Sequence, residues 1–227
     1  MILAVAAALA ATQPAPCPEV VTADAFICRA IHATADSKPD IAAQAFEQAA
    51  QALDSSNPQV ARLYAAAGNS WISAGQPGKA AIDLDRALAG PGLEAEQRGE
   101  VLLDRARAAE AQNDLATARA KVTEATQTIS DDPFLWFFSA ALAIRENDAA
   151  TASSSIGRAL SLAPADPSIL FEAGHVAELR GDTVGARDYW TRTIARDPDG
   201  EAGRQAREAL KLLPVPLTVH GVPKAPK

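Results

Sequence analysis

The sequence predicts an all-α protein built from recurring helical hairpins, and three observations carry that prediction. Hydrophobic residues make up 48% of the 227 residues, and much of that share is alanine, the strongest helix former. Aromatic residues are only 5%, so the residue types that favour strands are sparse. The third observation is self-similarity. Steps of 34 residues join Ala186, Ala152 and Ala118, and steps of 38 join Ala118, Ala80 and Ala42. Four residues after each of these alanines stands a large apolar residue: Phe46, Leu84, Val122, Ile156 and Trp190. Three further on are the small residues Ala49, Ala87, Ala125, Ala159 and Thr193. Ahead of the alanines come Ala30, Gly68, Ala106, Ala140 and Gly174, all small, preceded by Phe26, Tyr64, Leu102, Trp136 and Leu170. Large residues fill the space between two helices, and small ones let their backbones approach to about 8–10 Å.

Taken in chain order, residues 1–11 read as an export signal, a short apolar run (ILAVAAALAA) ahead of the breaker-rich TQPAPCP. Ala8-Leu9-Ala10 is a small-x-small cleavage site, although no Lys or Arg precedes the run. The expected location is therefore the periplasm of a bacterial cell, with the cytoplasm as the alternative. Residues 12–22 form an N-terminal segment carrying Cys17. In an oxidising compartment Cys17 and Cys28 would form a disulfide tying that segment to the first helix. Two other states stay open. Cys28 and His32 share a helix face and with Cys17 would make an incomplete zinc site, or the thiols could be free. No metal or cofactor is expected.

The hairpin units fall at 23–56, 61–94, 99–132, 133–166 and 167–200. Each needs a corner where one helix ends in a left-handed residue and a short polar side chain caps the next. Gly181-Asp182, Asn147-Asp148 and Asn113-Asp114 supply this chemistry, and Gly75 followed by Pro77 supplies it in the second unit. The first unit departs, with Ser37 at the corner and Asp40, after Pro39, as the expected cap. Pro133, Pro164, Pro167 and Pro198 separate one hairpin from the next. Residues 201–213 (EAGRQAREALKLL) are amphipathic, with Ala206, Leu210 and Leu213 on one side, and read as a helix capping the last unit. Residues 214–227 hold four prolines and no periodicity, and are expected to be disordered.

The pattern Leu170, Gly174, Gly181, Ala186, Trp190, Pro198 resembles the tetratricopeptide repeat. So does Trp136, Ala140, Asn147, Ala152, Ile156, Ala159, Pro164, and so does Tyr64, Gly68, Trp71, Gly75, Ala80, Leu84, Ala87. The resemblance covers residues 23–200, with Arg105 standing where the family prefers an apolar residue. It implies a right-handed α-solenoid whose first helices line a concave groove. It also implies that partner segments touch fixed first-helix positions. By alignment these are Arg62, Ala65, Asn69 and Ile72; Glu100, Leu103, Arg107 and Glu110; Phe134, Phe137, Ala141 and Ile144; and Ser168, Phe171, His175 and Glu178. The aromatic members Phe134, Phe137 and Phe171 are the most informative. The run FLWFF has more rings than one helix face buries, so some are expected at a partner surface.

Other chemistries find little support. A net charge of −7 argues against nucleic acid as the main partner. No stretch of 18 or more apolar residues exists, so no spanning helix is expected. His32, His175 and His220 are scattered, and Ser153-Ser154-Ser155 sits at a helical position where solvated or loosely packed serines are expected. Gly181 and Gly185 lack the preceding strand and following Lys-Ser/Thr of a phosphate loop. The expectation is a monomeric, non-enzymatic adaptor that binds a peptide or helix of a partner. The alternatives are a permanent structural subunit of an envelope assembly, or an accessory domain holding a small ligand in an aromatic pocket.

Overall fold

The computed structural model describes residues 16–214. The residues read as leader, and the tail beyond Pro214 with His220 in it, lie outside this range. The described chain is all-α, with eleven helices and no strands among the described residues. It divides into two compact units at Gln112/Asn113. The first holds α1 (Ala23–Ala35), α2 (Pro39–Gln51), α3 (Gln59–Ser73), α4 (Pro77–Ala89) and α5 (Ala95–Ala111). The second holds α6 (Leu115–Ala125), α7 (Pro133–Arg145), α8 (Ala149–Leu162), α9 (Pro167–Leu179), α10 (Thr183–Arg196) and α11 (Glu201–Leu212). Within each unit every helix packs against the next in sequence, and α3 also meets α5, α7 meets α9 and α9 meets α11.

The corners explain why the chain reverses where it does. Gly75, Asn113, Asn147 and Gly181 all adopt positive φ. After them Gln76 donates to the Trp71 carbonyl, Asp148 to Ala143 and Asp182 to Ala177, the closing bond of a helix that ends left-handed. Ser37, the position that departed in sequence, has φ 56° and the same closure, with Lys38 N–H bonded to the Ala33 carbonyl. Its corner is thus the same backbone built from a less suited residue. Caps follow the sequence reading for Asp114, Asp148 and Asp182, whose carboxylates accept from backbone N–H groups of the next turn. Asp40 is a correction. α2 begins at Pro39, so Asp40 lies inside the first turn and caps nothing, though its charge there suits the helix dipole.

Most packing positions behave as the spacing demands, while Phe46, Tyr64 and Trp136 are half-buried. Ala30, Ala42, Ala49, Ala80, Ala87, Ala106, Ala118, Ala125, Ala140, Ala152, Ala159 and Ala186 are all buried, as are Trp71, Leu84, Leu102, Leu170 and Trp190. Two details go beyond the pattern. Arg105, where an apolar residue is usual, reaches Asp85 on α4 at 2.8 Å, so its charge is paired while its stem packs. Ser155 is another correction, because it is buried and its hydroxyl bonds that of Ser139 on α7 at 2.9 Å. α11 caps its unit: Ala206 and Leu213 are buried against Ala177, Ala186 and Trp190, with Leu210 half-buried beside them.

The N-terminal segment is held by two devices. Cys17 and Cys28 form a disulfide, and the Arg29 guanidinium donates to the carbonyls of Pro18 and Val20. The sulfurs and a His32 ring nitrogen do converge within 4.8 Å, but each sulfur is already bonded to the other, which removes the thiolates a zinc site needs.

Candidate functional site

The second unit places two helix starts side by side. Asp132 caps α7 by accepting from the Phe134 N–H, and Asp166 caps α9 by accepting from the N–H groups of Ser168 and Ile169. Pro133 and Pro167, fixed in φ, open the two helices. Between these ends lies a cleft of roughly 220 Å³ lined by Pro133, Phe134, Phe137, Asp166, Ser168 and Ile169. Phe134 and Phe137 share a face one turn apart, with ring centroids 5.6 Å from each other. Phe134 keeps 42% of its surface exposed, whereas Phe137 packs on the core formed by Ala140, Ala143, Ile169 and Ala173. The neighbouring Trp136 turns away and donates its indole N–H to the Ser130 carbonyl. So the aromatic run splits, with Trp136 anchored and Phe134 left at the cleft.

One turn beyond Ser168 and Ile169 on α9 stands Glu172. It is half-buried, and among the described residues no hydrogen bond or ion pair reaches its carboxyl. Burial alone pushes its pKa up to about 7. Sequence reasoning missed Glu172, because a lone glutamate in an amphipathic helix reads as solvated surface. Its i+4 relation to Ser168 and i+3 relation to Ile169 was the available signal.

The other groove residues divide. Ile144 packs half-buried on the same core as Phe137. Phe171 and His175 are tied into the packing of α10 and α11. Phe171 lies against the cluster of Ala177, Ala186, Trp190 and Ala206, and its carbonyl accepts the Trp190 indole N–H at 3.0 Å. The His175 ring meets Phe171 and Trp190 edge-on, at 4.6 and 5.3 Å. Burial lowers the His175 pKa, while Glu178, 3.7 Å from Nδ1, acts the other way.

In the first unit, Asn69 and Arg107 both hydrogen-bond Asp104, which bridges α3 and α5. Arg62 lines a smaller cleft of about 180 Å³ with Ala65, Leu93, Gln97, Glu100 and Val101. Leu103 is 5% exposed and belongs to the core, so it presents no surface for a partner. The same unit sets a buried acid beside a half-buried one. Asp83 on α4 is 1% exposed, next to Glu47 on α2, which accepts the Trp71 indole N–H at 2.7 Å. Burial first, then the neighbouring Glu47, push the Asp83 pKa up to about 7, against the opposing pull of Arg86 at 3.0 Å.

Left-handed corners, small-residue crossings and a capping helix together define the class: the chain has the tetratricopeptide-repeat fold, a helical-repeat solenoid. Solved structures agree with this. YrrB, described as a TPR protein with an unusual peptide-binding site, matches with a TM-score of 0.63 and 18% identity, over 84% of this chain and 92% of that one. PilW, described as a widely conserved type IV pilus biogenesis factor, matches with a TM-score of 0.69 and 18% identity, over 81% of each chain. Pseudomonas aeruginosa PilF matches with a TM-score of 0.67 and 17% identity, over 83% of this chain and 82% of that one. No family model and no curated protein matches the sequence.

Proposed function

We propose that the chain is a non-enzymatic adaptor that captures a segment of a partner protein in the cleft between α7 and α9. The observation that carries this reading is Phe134, 42% exposed at the mouth of an apolar cleft whose opposite wall is Ile169. Large apolar groups left at a surface cost free energy unless a partner covers them, and aromatic anchors dominate such contacts. Phe134 and Phe137 are the principal contacts, with Ile144 further along α7. Arg62, Asn69 and Arg107 lie in the first unit, where Asn69 and Arg107 both bond Asp104.

Replacing Phe134 with aspartate is expected to abolish partner capture in crosslinking experiments on the native envelope while leaving the helical circular-dichroism signal unchanged. The side chain is exposed enough to change without disturbing the core. Equal capture by the variant would remove the cleft from consideration.

We further propose that the protein works outside the cytosol, in the periplasm. The Cys17–Cys28 disulfide supports this, since such bonds persist in oxidising compartments. A fusion of the chain to a reporter enzyme active only after export is expected to give signal. A silent fusion that accumulates to normal levels would return the protein to the cytoplasm.

A further inference from the structure

The chemistry of the captured segment can be read from Glu172. We propose that the occupant of the α7–α9 cleft is a partner segment carrying a bulky apolar side chain followed, two residues later, by a lysine or arginine. The apolar side chain sits against Phe134, Phe137 and Ile169, and the cation meets the Glu172 carboxylate. This rests on the adaptor reading and adds to it the nature of the ligand.

Three observations converge. Glu172 is half-buried on α9 with no hydrogen bond or ion pair among the described residues. A carboxylate withdrawn from water without a counter-charge is unfavourable, and an arriving ammonium or guanidinium relieves that cost. Its position is the second observation. Ser168 and Ile169 line the cleft, and Glu172 follows them by one turn of α9, about 5.4 Å along the axis. In an extended segment, side chains two residues apart point the same way and are separated by about 6.6 Å. The spacing therefore suits an apolar-x-basic triplet laid along the helix. The third observation is charge. Asp166 lines the cleft, Glu178 is exposed further along α9, and the whole chain carries −7, all of which favour a cationic ligand over an acidic one. The raised pKa of Glu172 fits a carboxyl lacking its counter-charge.

The test uses the full chain and end-blocked, fluorescent heptapeptides containing Leu-Ser-Lys, Leu-Ser-Glu or Ala-Ser-Lys between Gly-Ser flanks, with binding followed by anisotropy at low salt. The native protein is expected to bind the Leu-Ser-Lys peptide at least tenfold more tightly than either other peptide, the effect of one charge-assisted contact or one seated leucine. Glu172→Gln is expected to erase the preference for lysine over glutamate and to keep the preference for leucine over alanine. Phe134→Asp is expected to erase both. A Glu172→Gln protein that still prefers lysine tenfold overturns the cation assignment alone. Failure of all three peptides to bind the native protein, or unchanged binding by Phe134→Asp, overturns the adaptor reading beneath it. A full-chain Lys224→Glu, Lys227→Glu variant that binds the lysine peptide tenfold more tightly would show that the chain's own basic end competes for the cleft, and would overturn its assignment to a partner.

Discussion

Alanine at Gly174 is expected to lower the melting temperature by on the order of 10 °C, corresponding to about 3 kcal/mol of overpacking. A Cβ built there would lie 2.1 Å from Trp190 Nε1 and 2.4–2.6 Å from two other atoms of the indole. That ring is 1% exposed and fixed by its bond to the Phe171 carbonyl, so it has no empty space to retreat into. The comparison is Gly157, also within a helix, where a Cβ meets nothing within 4 Å. There the same substitution is expected to raise stability by about 0.5–1 kcal/mol through helix propensity alone. Thermal melts of the two variants side by side decide the matter. Similar behaviour of both would mean that the close approach of α9 to the Trp190 ring contributes nothing.

The second large effect concerns buried Asp83 and its neighbour Glu47. The folded pKa of Asp83, about 7, lies above the ordinary 3.8, so the folded chain holds this proton more tightly than the unfolded one. Stability from that proton is fully present below about pH 4 and is lost as pH rises through about 7. Above that, a carboxylate 1% exposed faces Glu47 from α2, opposed by Arg86 on its own helix. Lys79 is also near, stacked 4.1 Å above the Trp71 ring that bonds Glu47. Asp83→Asn mimics the protonated form at every pH. Its melting temperature relative to the native protein is expected to climb by about 5–10 °C between pH 4.5 and pH 8. The attraction of Arg86 acts on Asp83 only once it ionises and already enters the folded pKa, so the change with pH is the quantity to read. Parallel melting curves at all pH values would contradict a proton held on Asp83 in the folded chain.

These two sites differ in how far the sequence disclosed them. Gly174 and Trp190 stood out because the repeat aligns them with Gly68 and Leu84, and a small residue opposite a large one is a packing statement. The corners were readable for Gly75, Asn113, Asn147 and Gly181, whose residue types tolerate positive φ. Ser37 was not, since serine carries no such signature, and only the backbone shows that it takes the same turn. Asp83 and Glu47 lie on different helices and meet through packing, which no local pattern encodes. Phe134 at the cleft followed from the excess of aromatics in FLWFF. Glu172 did not follow from anything local, because its burial depends on what surrounds α9. Phe171 and His175 sit at the aligned groove positions, yet their contacts run to Trp190 and the core beneath α11.

The disulfide has a mechanical consequence. Cys28 lies in the middle of α1, and Cys17 joins it there covalently. A pull applied to the chain ahead of Cys17 therefore bypasses the first turns of α1 and enters the helix at its centre. Force arriving at a helix end peels its hydrogen bonds one after another, whereas force arriving at the centre loads the bonds on both sides together. With the bond formed, α1 resists tension from upstream as a block. With it reduced, the same tension reaches α1 through Thr22 and its first turn, against the Arg29 hydrogen bonds and the Thr22 cap on the Ala25 N–H.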